Sequence, residues 1–201
     1  VNYLAKNAPA IIEGWYMGQQ TGTAAADIIF GDVNPSGKLT ITFPKSVGQI
    51  PMFYNYKPSA QAYEYLSQDN LPLYHFGFGL SYTQFKFENL RLEKSKIKTS
   101  GTTKVKIDVT NIGSRAGDEI VQMYIRDKVS SVTRPVKELK GFKRISLKPK
   151  ETKTVTLDIG KEQLAFHNVD YKFVVEPGEF EIMVGNSSRD EDLMKTTLIV
   201  S

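Results

Sequence analysis

The chain has 201 residues, of which 40% are apolar, 24% charged and 11% aromatic. These are the proportions of a globular protein with one large domain or two ordinary ones, and they exclude a disordered tail, a collagen-like fibre and a coiled coil. Because there is no Cys, there is no disulfide framework and no thiolate metal site, and with only two His residues a His-based zinc site would need two or more carboxylates brought together by the fold. We expect no metal and no cofactor. No apolar run approaches the roughly 20 residues of a membrane span.

The charge is unevenly distributed, since the first 84 residues carry a net −1 and the remainder a net +5. A basic half raises the question of a nucleic-acid partner. In this half, however, lysines alternate with apolar residues, as in Lys104–Val109, and acidic residues lie among them. The alternation favours solvated strand faces over a phosphate-binding stripe, so we expect no nucleic-acid partner.

A helix followed by a stop signal is predicted near the start of the chain. Residues 19–30 have a helical pattern, and Thr21 or Thr23 can cap its first turn. Gly31 then supplies the left-handed residue with which helices commonly end. The sequence Asn-Pro-Ser-Gly at residues 34–37 predicts a turn directly after the helix.

Two strands are predicted on either side of this helix. The apolar residues 11–12 indicate the end of a buried strand, and alternating apolar residues between 39 and 43 indicate a second one. One helix and two strands cannot bury both faces of a sheet. We therefore expect residues 1–48 to be a partial α/β sandwich whose beginning is missing. Apolar surface on residues 11–12 and 28–29 should then be exposed and should make the isolated chain poorly soluble.

Residues 49–84 are predicted to form an aromatic loop and linker. Between residues 48 and 74, six aromatic side chains are punctuated by three prolines. Such a stretch is typical of a functional loop or of a linker. Its tyrosines can line a sugar site, because flat amphipathic rings stack on pyranose faces, or they can pin a long loop to the surface of a domain.

From residue 85 onward the hydrophobic period becomes two, which predicts an all-β domain over residues 85–201. Turn signals separate short strands at the spacing of an antiparallel β-sandwich of about seven strands. Without a Cys pair, a fibronectin type III-like member of the immunoglobulin-like sandwiches is the closer description. The predicted strands are Phe85–Leu92, Lys104–Thr110, Glu119–Arg126, Leu139–Leu147, Thr152–Ile159, Tyr171–Glu176, Phe180–Val184 and Thr196–Val200.

Few residues have the spacing of a reaction centre. Gly77-Phe78-Gly79 begins like a dinucleotide-binding motif but lacks the third glycine and a following helix, so we interpret it as a linker whose glycines permit close backbone approach. Two carboxylates that hydrolyse a glycoside with retention would have to lie about 5–5.5 Å apart. The candidates in the first half of the chain are Glu13, Asp32, Glu64 and Asp69.

Six strings, spread in order over almost the whole chain, resemble one enzyme family. They are AIIEGWYMGQQ at 10–20, ADIIFGDVNPSGKL at 26–39, SVGQIP at 46–51, FGFGLSYT at 76–83, RPVKELKGF at 134–142 and VEPG at 175–178. The first two are similar to the late α/β-sandwich segment of glycoside hydrolase family 3. The next two resemble the passage into its third domain, and the last two resemble its fibronectin-like module. The likeness is strongest to bacterial β-glucosidases of the periplasmic type.

The resemblance implies the C-terminal portion of a three-domain hydrolase that releases terminal β-D-glucosyl residues with retention of configuration. In this family an Asp of the barrel domain attacks the anomeric carbon, and a Glu of the α/β sandwich protonates the leaving oxygen. Neither matches a residue here, so we assign no catalytic residue and expect the isolated chain to be inactive. The implied partners are β-linked glucosides or oligosaccharides and the rest of the hydrolase chain, with no membrane.

The resemblance also points to the loop after Tyr54. In similar enzymes a Tyr-Asn-His stretch followed by Thr-Gly-Arg-Pro passes the mouth of the active site, where the Arg contacts the leaving-group sugar. Here Tyr56 replaces the His, and Gln61 cannot supply the guanidinium fork. We expect Lys57, Gln61 and Tyr63 to border the +1 subsite of the intact enzyme. For each of them, a structural loop that braces two domains is the alternative.

A second class of function stays open from the sequence, namely a non-catalytic β-sandwich module that binds carbohydrate or protein. The residues up to 37 favour the enzyme, because a free-standing sandwich has no need of half an α/β domain. An adhesion module has no positive feature. The compartment is open as well, since the resemblance favours a periplasmic or extracellular location without excluding the cytoplasm.

Overall fold

The computed structural model describes residues 1–58 and 69–201 of the chain. Within this described part, all regular strands lie after residue 84, and the earlier residues form helices and irregular backbone. We therefore call residues 1–84 the N-terminal segment and residues 85–201 the β-sandwich. No helix in the described ranges is long and apolar enough to cross a membrane.

Two helices form in the N-terminal segment. Helix α1 spans Asn2–Asn7 and α2 spans Thr21–Phe30, and a 3₁₀ turn follows at Val47–Gln49. Helix α2 confirms the predicted helix and ends at Gly31, whose φ of +83° is the left-handed conformation expected there. The prediction that a threonine caps the helix was wrong. No side chain caps the helix, and the Thr21 hydroxyl donates to the carbonyl of Gly18 instead.

The two strands predicted in the N-terminal segment do not form. Residues 11–12 belong to no strand, and the stretch 39–43 makes one isolated β-bridge, between Phe43 and Tyr74. This stretch is interrupted by a bend at residues 40–41, and within the described part of the chain its backbone bonds only to residues 73–78. The predicted turn at 34–37 is also wrong, because the backbone of these residues forms neither a turn nor a bend.

The β-sandwich contains ten strands and one short helix. Their bounds are β1 Phe85–Leu92, β2 Lys96–Ile97, β3 Thr103–Asn111, β4 Gly117–Asp127, β5 Glu138–Leu147, β6 Thr152–Ile159, α3 Lys161–Leu164, β7 Phe166–His167, β8 Phe173–Val174, β9 Gly178–Gly185 and β10 Leu193–Val200. A 3₁₀ turn at Asp190–Asp192 lies between the last two strands. A three-stranded sheet in the order β1-β3-β6 packs on a five-stranded sheet in the order β2-β10-β9-β4-β5, and β7 pairs with β8.

These strands largely confirm the alternation seen in the sequence. Strands β1 and β6 begin and end at the predicted residues. The strand predicted at Tyr171–Glu176 shrinks to β8, because Tyr171 has a φ of +59° and the Asn168 side chain accepts hydrogen bonds from the amides of Asp170 and Lys172. These bonds close a turn where the strand was expected to begin. Strands β2 and β7 are two residues long, too short to give a periodic signal.

The core lies between the two large sheets. From β3, Val105, Ile107 and Val109 point inward and are at most 1% exposed. They belong to the same cluster as Phe180 and Ile182 of β9. Burial of each such side chain contributes about 1.5–3 kcal/mol to the free energy of unfolding. The alternate residues of β3 face solvent and carry its lysines, as the sequence predicts.

Candidate functional site at the interface between the N-terminal segment and the β-sandwich

Asn34 fixes the end of helix α2 to the β-sandwich. Its Nδ2 donates to the carbonyl of Ala116, 2.9 Å away, and its Oδ1 accepts from the Ser81 hydroxyl and the Tyr82 amide, each at 2.8 Å. The Tyr82 hydroxyl in turn donates to the carbonyl of Ile28 at 2.6 Å. Both polar atoms of the Asn34 amide are thereby hydrogen-bonded. Asn34, which lies in the predicted turn, therefore bridges residues that are far apart in sequence.

A buried ion pair joins the two parts a few residues further on. Lys38 Nζ lies 2.8 Å from Glu119 Oε1, and the side chains are 12% and 5% exposed. The lysine also donates to the carbonyl of Gly79 at 3.2 Å, and Glu119 accepts from the amide of Ile120 at 2.8 Å. Charges this deep require partners, because an unpaired one costs several kcal/mol of desolvation. The pair therefore couples the N-terminal segment to β4.

The glycines of the linker allow the close approach predicted for them. Gly77 has a φ of +78°, and a Cβ there would stand 2.1 Å from Gln122 Oε1. Gln122 Nε2 donates to the carbonyls of Gly77, at 3.1 Å, and Asn186, at 2.8 Å. A Cβ on Gly79 would stand 2.2 Å from the carbonyl oxygen of Gly37. Side chains at both positions are excluded by backbone or by a buried amide.

An aromatic cluster lies beside this linker. The ring of Tyr54 stacks on Phe76 with centroids 4.2 Å apart and meets Tyr124 edge-on at 5.8 Å. The amide of Leu139 donates to Tyr54 Oη at 3.2 Å, and the Tyr124 hydroxyl donates to Gln122 Oε1 at 2.5 Å. Burial raises the pKa of both tyrosines, so both phenols keep their protons at neutral pH.

Of the three residues expected at the +1 subsite, the structure places Lys57. Its side chain is exposed, and the preceding carbonyl, of Tyr56, accepts a hydrogen bond from the amide of Val136 at 2.9 Å. Gln61 and Tyr63 lie outside the described residues. The structure therefore does not test whether the three residues lie together.

The candidate carboxylates of the N-terminal segment have local structural partners. Glu13 Oε1 accepts from the amide of Trp15 at 2.8 Å. Asp69 accepts from Lys45 Nζ at 2.5 Å and from the amide of Leu71 at 3.1 Å, and the lysine is the main cause of a lowered pKa for Asp69. Asp32 is exposed, and Glu64 lies outside the described residues. Within the described ranges, no three His, Asp or Glu residues are placed to hold a metal ion.

A cluster of basic side chains that the sequence analysis did not identify lies next to Phe76, and it comprises His75, Lys137 and Arg189. The carbonyl of Phe76 accepts from the amide of Ser188 at 2.9 Å, and Lys137, which is 7% exposed, donates to the carbonyl of Ser188 at 2.9 Å. Burial, and then the cations of Arg189 and Lys137, lower the pKa of His75. Opposing acids, Asp192 first, offset part of this effect.

Apolar side chains of the N-terminal segment remain at the surface, as the sequence predicts. Ile11 is 46% exposed, Ile12 52% and Ile29 64%, and Phe30 at the end of α2 is 81% exposed. Ile28 is half-buried and is the exception. Neither helix of this segment contains a buried residue. Its contacts with the β-sandwich therefore leave an apolar face uncovered.

Two family models match the chain. Residues 1–82 match the glycosyl hydrolase family 3 C-terminal domain, and residues 119–188 match a fibronectin type III-like domain. The chain belongs to glycoside hydrolase family 3. The family's C-terminal domain here is the N-terminal segment, a partial α/β domain, and the β-sandwich follows it as the fibronectin type III-like domain.

Several similar proteins are named as glycosidases. A β-xylosidase of Formosa agariphila is 51% identical over all of this chain and 28% of its own length, and the periplasmic β-glucosidase of Salmonella typhimurium is 44% identical over 91% of the chain and 25% of its own length. A solved β-glucosidase of Erythrobacter marinus is 43% identical with a TM-score of 0.94, covering 98% of this chain and 26% of that one. The chain thus spans about a quarter of the length of these relatives, corresponds to their C-terminal portion, and is assigned no catalytic residue.

Proposed function

We propose that this chain works as the C-terminal portion of a retaining glycoside hydrolase that releases terminal β-D-glucosyl residues and that it has no activity alone. The observation that carries the proposal is the match of nearly the whole chain to such enzymes, at 43% identity and a TM-score of 0.94 for one of them. The catalytic Asp and Glu of this mechanism belong to polypeptide other than these residues. Two carboxylates in different environments are what retention demands.

The uncovered apolar face of the N-terminal segment supports a bracing role within the larger hydrolase chain. Ile11, Ile12, Ile29 and Phe30 are between 46% and 81% exposed. Large apolar side chains exposed in this number are typical of a surface that contacts other polypeptide. We propose that this face packs against the rest of the hydrolase.

The proposed domain boundaries follow from the change of architecture at residue 85. We propose an α/β portion over residues 1–48, a linking loop over 49–84 and a fibronectin type III-like domain over 85–201. Within the linking loop, Lys57, Gln61 and Tyr63 are proposed to border the +1 subsite. The exposure of Lys57 supports this role, because an ammonium group that meets a sugar hydroxyl has to be reachable.

A chimera tests the proposed function. This chain replaces the matching quarter of the Salmonella periplasmic β-glucosidase, and release of 4-nitrophenol from its β-glucoside is measured for the chimera, for this chain and for the relative without that quarter. We expect turnover from the chimera alone.

Two outcomes contradict the proposal. Hydrolysis by this chain alone would place catalysis within it, and a chimera that has native circular dichroism and a cooperative thermal transition but no turnover would remove its role in the hydrolase. Retention of this chain on insoluble glucan, with an inactive chimera, would favour the non-catalytic binding module.

A further inference from the structure

The short segment from Tyr54 to Pro58 is held in place by the β-sandwich. At its start, the Tyr54 ring lies between Phe76 and Tyr124, and its hydroxyl accepts from the amide of Leu139. Two residues later, the carbonyl of Tyr56 accepts from the amide of Val136. Three of these four contacts come from the β-sandwich, at positions more than 65 residues away in sequence.

Tyr124, which contacts the Tyr54 ring, belongs to a buried hydrogen-bond network. Tyr124 is 0% exposed and Gln122 is 3% exposed. The Tyr124 hydroxyl donates to Gln122 Oε1, and Gln122 Nε2 uses both of its hydrogens on the carbonyls of Gly77 and Asn186. Because each polar atom of the amide is occupied, the amide cannot rotate without losing a hydrogen bond, and the ring of Tyr124 is fixed with it.

Lys57 follows directly after this fixed stretch. It is exposed, and among residues 1–58 and 69–201 it has neither an ion-pair partner nor a side-chain hydrogen bond. Its backbone is thus positioned by the contact of Tyr56, whereas its ammonium group is available to a ligand. A Lys ammonium has three donors and suits hydroxyl oxygens.

We infer that Tyr124 and Gln122 are positioning residues of the β-sandwich that set where Lys57 presents its ammonium group to the leaving-group sugar. The inference rests on the proposed function and deepens it, since it gives the β-sandwich a part in substrate preference. The ligand class is a β-glycoside whose leaving group is a second sugar with hydroxyls that accept from Lys57. A 4-nitrophenyl leaving group has no hydroxyl, so it depends less on this contact.

The experiment uses the active chimera with Lys57→Met, Tyr124→Phe and both changes together. Tyr124→Phe keeps the ring and removes the bond to Gln122. We expect Lys57→Met to raise KM for a β-linked glucose disaccharide about tenfold, the size that follows from losing a charged hydrogen bond to the substrate. Tyr124→Phe should raise this KM less, about threefold, because it loosens the position of Lys57 without removing the ammonium group. KM for the 4-nitrophenyl glucoside should change by less than about twofold with either change, because that substrate does not use the contact.

The double variant decides the inference. If Tyr124 acts through Lys57, Tyr124→Phe has no further effect on the disaccharide KM once Lys57 is methionine. The exposed Tyr171, at the tip of the β7–β8 turn and 89% exposed, provides the control Tyr171→Ser, which should change neither substrate. If Tyr124→Phe lowers the thermal midpoint too far to assay, Tyr54→Phe takes its place, because it removes only the bond from Leu139.

Three results overturn the inference. The first is an equal effect of Tyr124→Phe in both backgrounds, and the second is an equal loss on both substrates, which is the signature of a merely structural residue. The third is an active chimera in which Lys57→Met changes nothing. A folded chimera without turnover, by contrast, contradicts the proposed function itself.

Discussion

The β-sandwich and the N-terminal segment differ in where their stability comes from. Val109, Tyr124 and Ile182 of the β-sandwich are 0% exposed, whereas among the described residues before Gly77 no apolar side chain is buried. The β-sandwich therefore has its own hydrophobic core. The N-terminal segment depends on side-chain bridges to its neighbour, such as those of Asn34 and Lys38. A hydrophobic core thus stabilises the β-sandwich, whereas hydrogen bonds and an ion pair to the β-sandwich stabilise the N-terminal segment.

The largest difference is expected from apolar truncations. Phe180→Ala removes a ring that is 1% exposed and should cost about 3–5 kcal/mol of unfolding free energy. Ile29→Ala, at 64% exposure, should change it by less than about 0.5 kcal/mol. Urea unfolding followed by far-ultraviolet circular dichroism measures both. Equal losses would contradict the comparison.

The ion pair between the two parts should come next. Lys38→Met leaves Glu119 buried and uncompensated, which should cost about 3 kcal/mol. Trp15 is the single tryptophan of the chain and lies in the N-terminal segment, so its fluorescence reports on that part while circular dichroism reports on the strands. Fluorescence should change at lower urea than the strand signal in this variant.

The double variant Lys38→Met/Glu119→Leu is the matched control for the ion pair. Removing both charges should restore most of the lost stability, because no unpaired charge remains buried. If it is as unstable as the single variant, packing and not charge is the cause.

A smaller effect is expected at Gly77. Gly77→Ala places a Cβ against Gln122 Oε1 in a backbone conformation with φ of +78°, and we expect a loss of about 1–3 kcal/mol with early release of the Trp15 signal. Gly22 in helix α2 has nothing within 4 Å of an added Cβ, so Gly22→Ala should instead stabilise by up to about 1 kcal/mol. A stabilised Gly77→Ala would contradict the close approach of linker and β4.

The smallest effects come from pH, and they separate the two parts once more. His75 has a lowered pKa in the folded chain, so the unfolded chain binds more protons below the usual value near 6.5, and the contact around Phe76 loses stability as the pH falls through that range. His75→Gln should flatten this decline in the Trp15 signal below about pH 6.5. An unchanged decline would assign it to other groups.

Asp108 on the β-sandwich responds at lower pH. Hydrogen bonds from Thr154 and then from Arg91 lower its pKa to about 2, so its contribution is present above the usual value of 3.8 and is lost as the pH falls toward 2. Asp108→Asn should reduce the slope of stability against pH in that window, measured by circular dichroism. A slope equal to that of the unmodified chain would show that the carboxylate is not coupled to folding.

The sequence predicted the β-sandwich well because its signal is local. Alternation in Thr152–Ile159 specifies a strand with one buried face whichever neighbour it finds. The same alternation in residues 39–43 failed, since a strand also needs continuous pairing, and Phe43 finds a single bridge partner.

The interface was predictable at its glycines and not at its polar residues. Gly77 and Gly79 signal close approach by themselves, whereas Lys38 and Glu119 meet across 81 positions and neither has a distinctive neighbourhood. Gln122 gave a weak signal, as a lone amide within the apolar run of β4. Gln61 and Tyr63 lie outside the described residues and remain predictions.

The hydrogen bond from Ser188 to the carbonyl of Phe76 has a consequence for biosynthesis. The two residues are separated by 112 positions, so a ribosome must translate all of the intervening residues before this contact can exist. The aromatic rings around Phe76 therefore leave the exit tunnel before the residues of β4 and β9 on which they pack have been translated. A nascent chain halted before Ser188 should expose these aromatic rings to chaperones. Once β9 and β10 have left the tunnel, the rings should become buried.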